Sequence, residues 1–161
     1  MFTTDEELPL NFIIKNERRF DFQKKLLFET SEQRDILINW VKISYIVYPF
    51  DIWNDFLEDN FIKLPDLLTL AAMKAYTIWR RAKWKDYVDL YFLIDKFWIE
   101  NIIKKAKQIY GWDFSEKLFI RQLGYFDDID HSEKVEWIKW FEISDEKIKT
   151  KLKNISLSFI L

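Results

Sequence analysis

Lys74, Arg81, Lys85, Asp86 and Asp89 bring five charges into a stretch that is otherwise largely apolar. On a helix of about 3.6 residues per turn, Lys74 and Arg81 lie seven positions apart on one face, separated by about 10 Å along the axis. Leu67, Leu70, Thr77 and Ile78 share that face, so two cations border an apolar stripe. An ammonium in such a place can act as a point donor to phosphate. Asp86 and Asp89, three apart on the next helical segment, also share a face. There they repel by a few tenths of a kcal/mol, on the order of 0.3, unless a cation or a ligand lies between them. The pattern implies a polar site between two helices.

Each residue also has a structural alternative. Lys74 can snorkel from a half-buried helix. Arg81 can pair with Asp86 or Asp89 and hold the two helices together. Asp86 can cap a helix N-terminus, and Asp89 can form an i,i+4 pair with Lys85.

The elements that must position these groups fall into two parts. A short helix is expected near residues 4–14. Strands follow at Phe20-Asp21-Phe22, Leu26-Leu27-Phe28, Asp35 to Ile38 and Val41 to Tyr48, with a tight turn at Asn39-Trp40. Residues 50–61 read as an acidic, aromatic connection. Pro65 and Asp66 signal a helix start, and the pattern stays helical to about Ala82. Further helices are expected over 85–97, 98–110, 114–123 and 145–155. Gly111 and Gly124 are the only glycines, and each is placed to end a helix in a left-handed cap. The fold class is α+β: a short antiparallel or mixed β-sheet over 1–64, then a helical bundle over 65–161, in one domain.

The run Ala71-Ala72-Met73-Lys74, Arg81, Lys85-Asp86-Tyr87-Val88-Asp89-Leu90-Tyr91-Phe92-Leu93 resembles the nucleotidyltransferase-like AbiEii toxin family of type IV toxin-antitoxin systems. Val41 to Phe50 is similar to the strand preceding those helices, and Leu123-Gly124-Tyr125-Phe126-Asp127-Asp128 to a later segment. The resemblance covers roughly residues 2 to 153. It implies transfer of a nucleoside monophosphate from an NTP to an acceptor, with RNA as acceptor and a cognate antitoxin as partner. It also implies that Lys74, Arg81 and Lys85 contact the nucleotide, while Asp86 and Asp89 orient the lysine or activate the acceptor hydroxyl. Mg²⁺ is implied as cofactor, bridging the nucleotide phosphates.

The Gly-Gly or Gly-Ser turn and the Asp-x-Asp pair of related nucleotidyltransferases have no counterpart in the sequence. Met1-Phe2-Thr3 is similar to the segment that follows that pair, and Ser44 stands where a further carboxylate is expected. Besides a toxin component, the sequence therefore admits one half of a split enzyme, completed by a separate N-terminal half, or a non-catalytic nucleotide-binding or interaction protein. Under the nucleotide reading, Lys74→Ala weakens binding with little change in stability.

Composition constrains the class independently. The 161 residues are 49% hydrophobic and 19% aromatic, enough to build a core, and the net charge of -2 excludes an overall field that would draw the protein onto nucleic acid. Disulfides and cysteine catalysis are excluded, because the chain has no cysteine. Asp5, Glu6 and Glu7 lie where a signal peptide would be basic, and no apolar run is long enough to cross a membrane. The expected location is the cytoplasm. His131, within Asp127-Asp128-Ile129-Asp130-His131-Ser132, reads as part of a solvated loop. Lys104, Lys105, Lys107, Lys147, Lys149, Lys151 and Lys153 read as solvated helix faces.

Overall fold

The structure is a computed structural model that describes residues 2–3, 7–19, 23–52, 56–59 and 62–159. It is α+β, as expected. The chain groups into two compact units, Met1–Asp51 and Ile52–Leu161. The strand expected at Phe20-Asp21-Phe22 lies outside the described residues, as do residues 4–6 of the first expected helix.

The first unit holds β1 (Phe2–Thr3), α1 (Leu10–Glu17), β2 (Lys24–Glu29), β3 (Gln33–Ile38) and β4 (Val41–Val47). The sheet order is β1-β4-β3-β2, with β2, β3 and β4 antiparallel and β1 added parallel to β4. Ile38 pairs with Val41 across the two-residue turn Asn39-Trp40, whose φ values are 45° and 70°. That turn suits the right-handed twist of the strands it joins. α1 begins after Pro9, later than the expected start, because the fixed φ of proline suits the entry to a helix rather than its interior.

Two buried ionic contacts tie this unit together. Arg34 on β3 donates to Glu17 on α1 through Nε at 3.1 Å and Nη2 at 2.8 Å, and it also pairs with Glu29 on β2. Asp35 accepts from Lys42 at 2.8 Å and from Gln33 at 3.1 Å. The hydrogen bond from Lys42 holds its carboxyl below the usual aspartate range, overcoming the opposing effect of burial.

In the second unit, β5 (Phe56–Asp59), within the stretch read as a connection, and β6 (Ile62–Pro65), just after it, form an antiparallel hairpin. Glu58 and Asp59 are poor strand formers, and the ladder with β6 overrides that local preference. The helices are α2 (Leu67–Ile78), α3 (Trp84–Phe97), α4 (Ile99–Tyr110), α5 (Glu116–Leu123) and α6 (Asp145–Ser158). Asp66 caps α2, accepting from the Thr69 N–H at 2.8 Å.

The fully buried Ala71, Ala72 and Ala75 let neighbours approach α2 closely, and α3, α4 and α5 all pack on it. On α4 the buried residues Ile99, Ile102, Ile103, Ala106 and Tyr110 trace one helical stripe. The aromatic residues divide: Trp84, Tyr87, Tyr91, Phe114 and Phe119 enter the core, whereas Trp40, Trp98, Trp112 and Trp140 are exposed.

The two glycines act differently. Gly111 closes α4 at a positive φ of 53°, as expected, but its ψ of -122° lies outside the left-handed helical region, in a conformation that glycine alone adopts readily. Gly124 has φ -101°, so its role is not conformational. A Cβ there would lie 2.7 Å from Ser156 Oγ and 2.8 Å from Ser156 Cβ, so it is the approach of α6 that requires glycine. Gly124→Ala is expected to cost about 1–3 kcal/mol through overpacking. In a Ser156→Gly background, which by itself loses the hydrogen bond from Ser156 Oγ to the Ile120 carbonyl, Gly124→Ala should cost less than it does in the wild type by urea unfolding; an undiminished cost would place the strain elsewhere.

Candidate functional site

The site forms between α2 and α3. Lys74, near the middle of α2, projects its ammonium between the two carboxylates of α3: Nζ lies 2.7 Å from Asp86 Oδ1 and 2.5 Å from Asp89 Oδ2. The repulsion between Asp86 and Asp89 is thus relieved by a lysine from the neighbouring helix. Asp86 is fully buried, Lys74 is 18% exposed and Asp89 47% exposed, so the cluster opens from an interior anchor to a solvent-facing rim. Burial disfavours the Lys74 charge, but hydrogen bonds to Asp86 and Asp89 outweigh it and hold the lysine above its ordinary pKa.

Arg81 reaches the same carboxylate by a different route from that expected. α2 ends at Ile78 rather than near Ala82, so Arg81 is not on a helical face with Lys74. The reason lies in Arg80. Its guanidinium stacks over Tyr76 and Trp79 at 3.5 and 3.8 Å and donates to the Tyr76 and Asp113 carbonyls. It thereby satisfies an orphan carbonyl of the last turn. Arg81, past the helix end and 52% exposed, brings Nε to 3.4 Å from Asp86 Oδ2, within ion-pair range. That oxygen is buried and makes no hydrogen bond among the described residues.

Asp86 is not an N-cap: α3 begins at Trp84 with Lys83 in the cap position. Lys85 is drawn off the site. Lys83 and Lys85 both donate to Glu133, whose carboxyl these hydrogen bonds pull down to about 2. Glu133 belongs to the segment between α5 and α6, which also donates the Asp130 N–H to the Ala82 carbonyl and accepts from the Trp84 N–H. This clasp fixes the α3 N-terminus. No sequence spacing pointed to it, because Glu133 lies 48 residues from Lys85.

Beneath the cluster, the fully buried Tyr87 accepts from Gln122 Nε2 at 2.8 Å, with the Gln122 and Tyr125 carbonyls at 3.3 and 3.2 Å from its hydroxyl. Burial pushes its pKa up to about 12, so the hydroxyl remains a neutral tether between α3 and the end of α5. His131 is exposed, its ring 5.6 Å from that of Trp84. Of the lysines on helix faces, Lys107, Lys149 and Lys151 pair with Glu116, Glu146 and Asp95.

Chemically, the site is a formally neutral set of two cations and two carboxylates. Among the described residues no group of three His, Cys, Asp or Glu side chains converges as a metal would require. The carboxylate pair Asp86 and Asp89 already holds an ammonium between its oxygens. A divalent cation there would meet the charge of Lys74, so these residues do not fit Mg²⁺. No described helix is long and apolar enough to cross a membrane.

No family model and no solved structure matches the chain. An uncharacterized protein of Aquifex aeolicus (strain VF5) is 28% identical to it over 139 residues, covering 80% of this chain and 66% of that relative. The chain therefore spans just under two thirds of the length of the relative it matches.

Proposed function

We propose that the chain is a nucleotide-binding component of an AbiEii-like nucleotidyltransferase of a toxin-antitoxin pair, which transfers a nucleoside monophosphate from an NTP to RNA. The observation that carries this reading is the graded cluster, in which a fully buried Asp86 holds Lys74 at the boundary while Arg81 and Asp89 remain accessible at the rim. Such grading suits a binding site, since a purely structural ion pair has no need of an exposed second carboxylate and an exposed guanidinium. Asp86 acts as a positioning residue for the ammonium. Lys74 keeps one N–H beyond the two given to carboxylates, and with Arg81 it meets phosphate oxygens. Asp89 is the carboxylate that an acceptor hydroxyl can reach.

A second reading, a split or non-catalytic nucleotide-binding protein, is favoured by the lack of fit to Mg²⁺. In the split form a separate polypeptide supplies the metal-binding carboxylates.

The test is calorimetric titration with ATP, GTP, CTP and UTP, with and without Mg²⁺. Arg81→Ala is the informative variant because Arg81 is half exposed and its loss leaves Asp86 paired with Lys74. Binding is expected to weaken by about tenfold or more, the effect of one charge-assisted hydrogen bond. Absence of binding to all four nucleotides would refute the nucleotide reading in either form. Binding without transfer to RNA would select the second.

A further inference from the structure

The outer strand of the first unit's sheet carries an apolar sequence that nothing described covers. β2 is the edge of the order β1-β4-β3-β2, and all six residues Lys24-Lys25-Leu26-Leu27-Phe28-Glu29 are exposed. Leu26, Leu27 and Phe28 are 51%, 45% and 49% exposed. An edge strand with three consecutive large apolar residues invites a further strand, and the two lysines would repel most basic partners. Its register with β3 also shifts between Leu26 and Phe28, which leaves Leu27 without a cross-strand partner there.

We propose that the occupant is a second copy of the same strand, paired antiparallel about a two-fold axis between Leu26 and Leu27. The sequence is self-complementary in that register. Lys24 falls opposite Glu29 of the second copy, Lys25 opposite Phe28, and Leu26 opposite Leu27, so the unpaired leucine gains a partner and each end of the ribbon joins an acid to a base.

The surface agrees with this register. A cavity of about 260 Å³ is lined by Gln23, Lys24, Lys25, Leu37, Asn39 and Trp40. Lys25 pairs with Leu37 across β2 and β3, so both side chains lie on one face of the sheet. Phe28 of the second copy, opposite Lys25, joins that same row and is directed at this cavity. Lys24 and Glu29 are engaged in the single chain, by the Glu17 carbonyl and by Arg34. Both engagements lie at the strand ends and leave the central apolar residues open. Six residues a side make a small interface, so the dimer is expected to be concentration-dependent, dissociating in roughly the micromolar range.

Sedimentation velocity over a concentration series of the full chain tests this. The wild type is expected to shift from monomer to dimer. Lys24→Glu and Glu29→Lys each place like charges at both ends of the ribbon and should weaken self-association by about tenfold or more. An equimolar mixture of the two variants should restore it, because each junction of the mixed dimer again carries one acid and one base. Leu27→Asp, at an exposed position unpaired on β3, should be monomeric with a native circular dichroism spectrum. A wild type that stays monomeric at every concentration overturns the proposal. So does a dimer insensitive to these substitutions, or a mixture of natively folded charge variants that fails to associate.

Discussion

Lys74→Ala is expected to destabilise the second unit by about 3–5 kcal/mol, because it strips the hydrogen-bonded cation from a fully buried carboxylate. This reverses the expectation from sequence that the substitution leaves stability nearly unchanged. Asp86 would then face only Arg81 Nε, 3.4 Å from its other oxygen. Replacing the pair with apolar side chains, Lys74→Met with Asp86→Leu, should recover most of the loss, since the cost lies in the orphaned charge rather than in the absent bridge. Urea unfolding of the single and double variants decides this. Equal destabilisation by both would show that the ion pair itself, rather than the unpaired carboxylate, carries the energy.

The same pair makes stability depend on pH at the alkaline end. The Lys74 pKa is raised on folding, so its contribution is complete below the ordinary lysine value of 10.5 and is lost as the pH climbs from there through the raised folded value. The difference in stability between the wild type and the double variant should therefore be flat at neutral pH and move against the wild type in that alkaline window. A difference that instead changed between about pH 4 and 7 would assign the dependence to other groups.

Arg34→Ala should have an effect of similar size in the first unit, about 3–5 kcal/mol, because Glu17 is 8% exposed and Arg34 supplies its two side-chain hydrogen bonds. Glu29 is 35% exposed and loses far less when its partner goes. Hydrogen exchange distinguishes the two large effects. Arg34→Ala should raise exchange first in α1 and β2 to β4, and Lys74→Ala in α2 and α3. If Arg34→Ala left exchange in α1 unchanged, the bidentate contact would not be what holds that helix.

Nucleotide titration of Lys74→Ala reads fold and binding together, which is why Arg81→Ala carries the functional test. The two reach the same buried carboxylate from different positions. Lys74 is held at the α2–α3 contact, whereas Arg81 stands beyond the helix end and is half exposed.

The sequence by itself determined the α+β class, the order of sheet before helices, the start of α2 at Asp66 and the end of α4 at Gly111. Those features follow from local chemistry: strand alternation, a capping carboxylate and a residue free to take positive φ. It also determined that Asp86 and Asp89 share a face and repel unless a cation or a ligand lies between them, because helical spacing alone sets which side chains are neighbours.

Only the tertiary structure decided which cation that is, and which of the remaining basic residues belong to the site. Long basic side chains find the carboxylate that packing brings nearest. Lys74 is placed between the aspartates by the contact of α2 with α3, while Lys85 is claimed by Glu133 from a distant segment. Arg81 leaves the helical face because stacking and hydrogen bonding by Arg80 end α2 early. Gly124 likewise owes its identity to the approach of α6, and the β5–β6 hairpin to a ladder that outweighs weak strand formers. For Lys74, Lys85 and Gly124 the deciding contact joins different elements of the fold, which local spacing does not encode; for Arg80 and for the β5–β6 hairpin the contacts are closer in sequence, and there side-chain stacking and strand pairing outweigh local propensity.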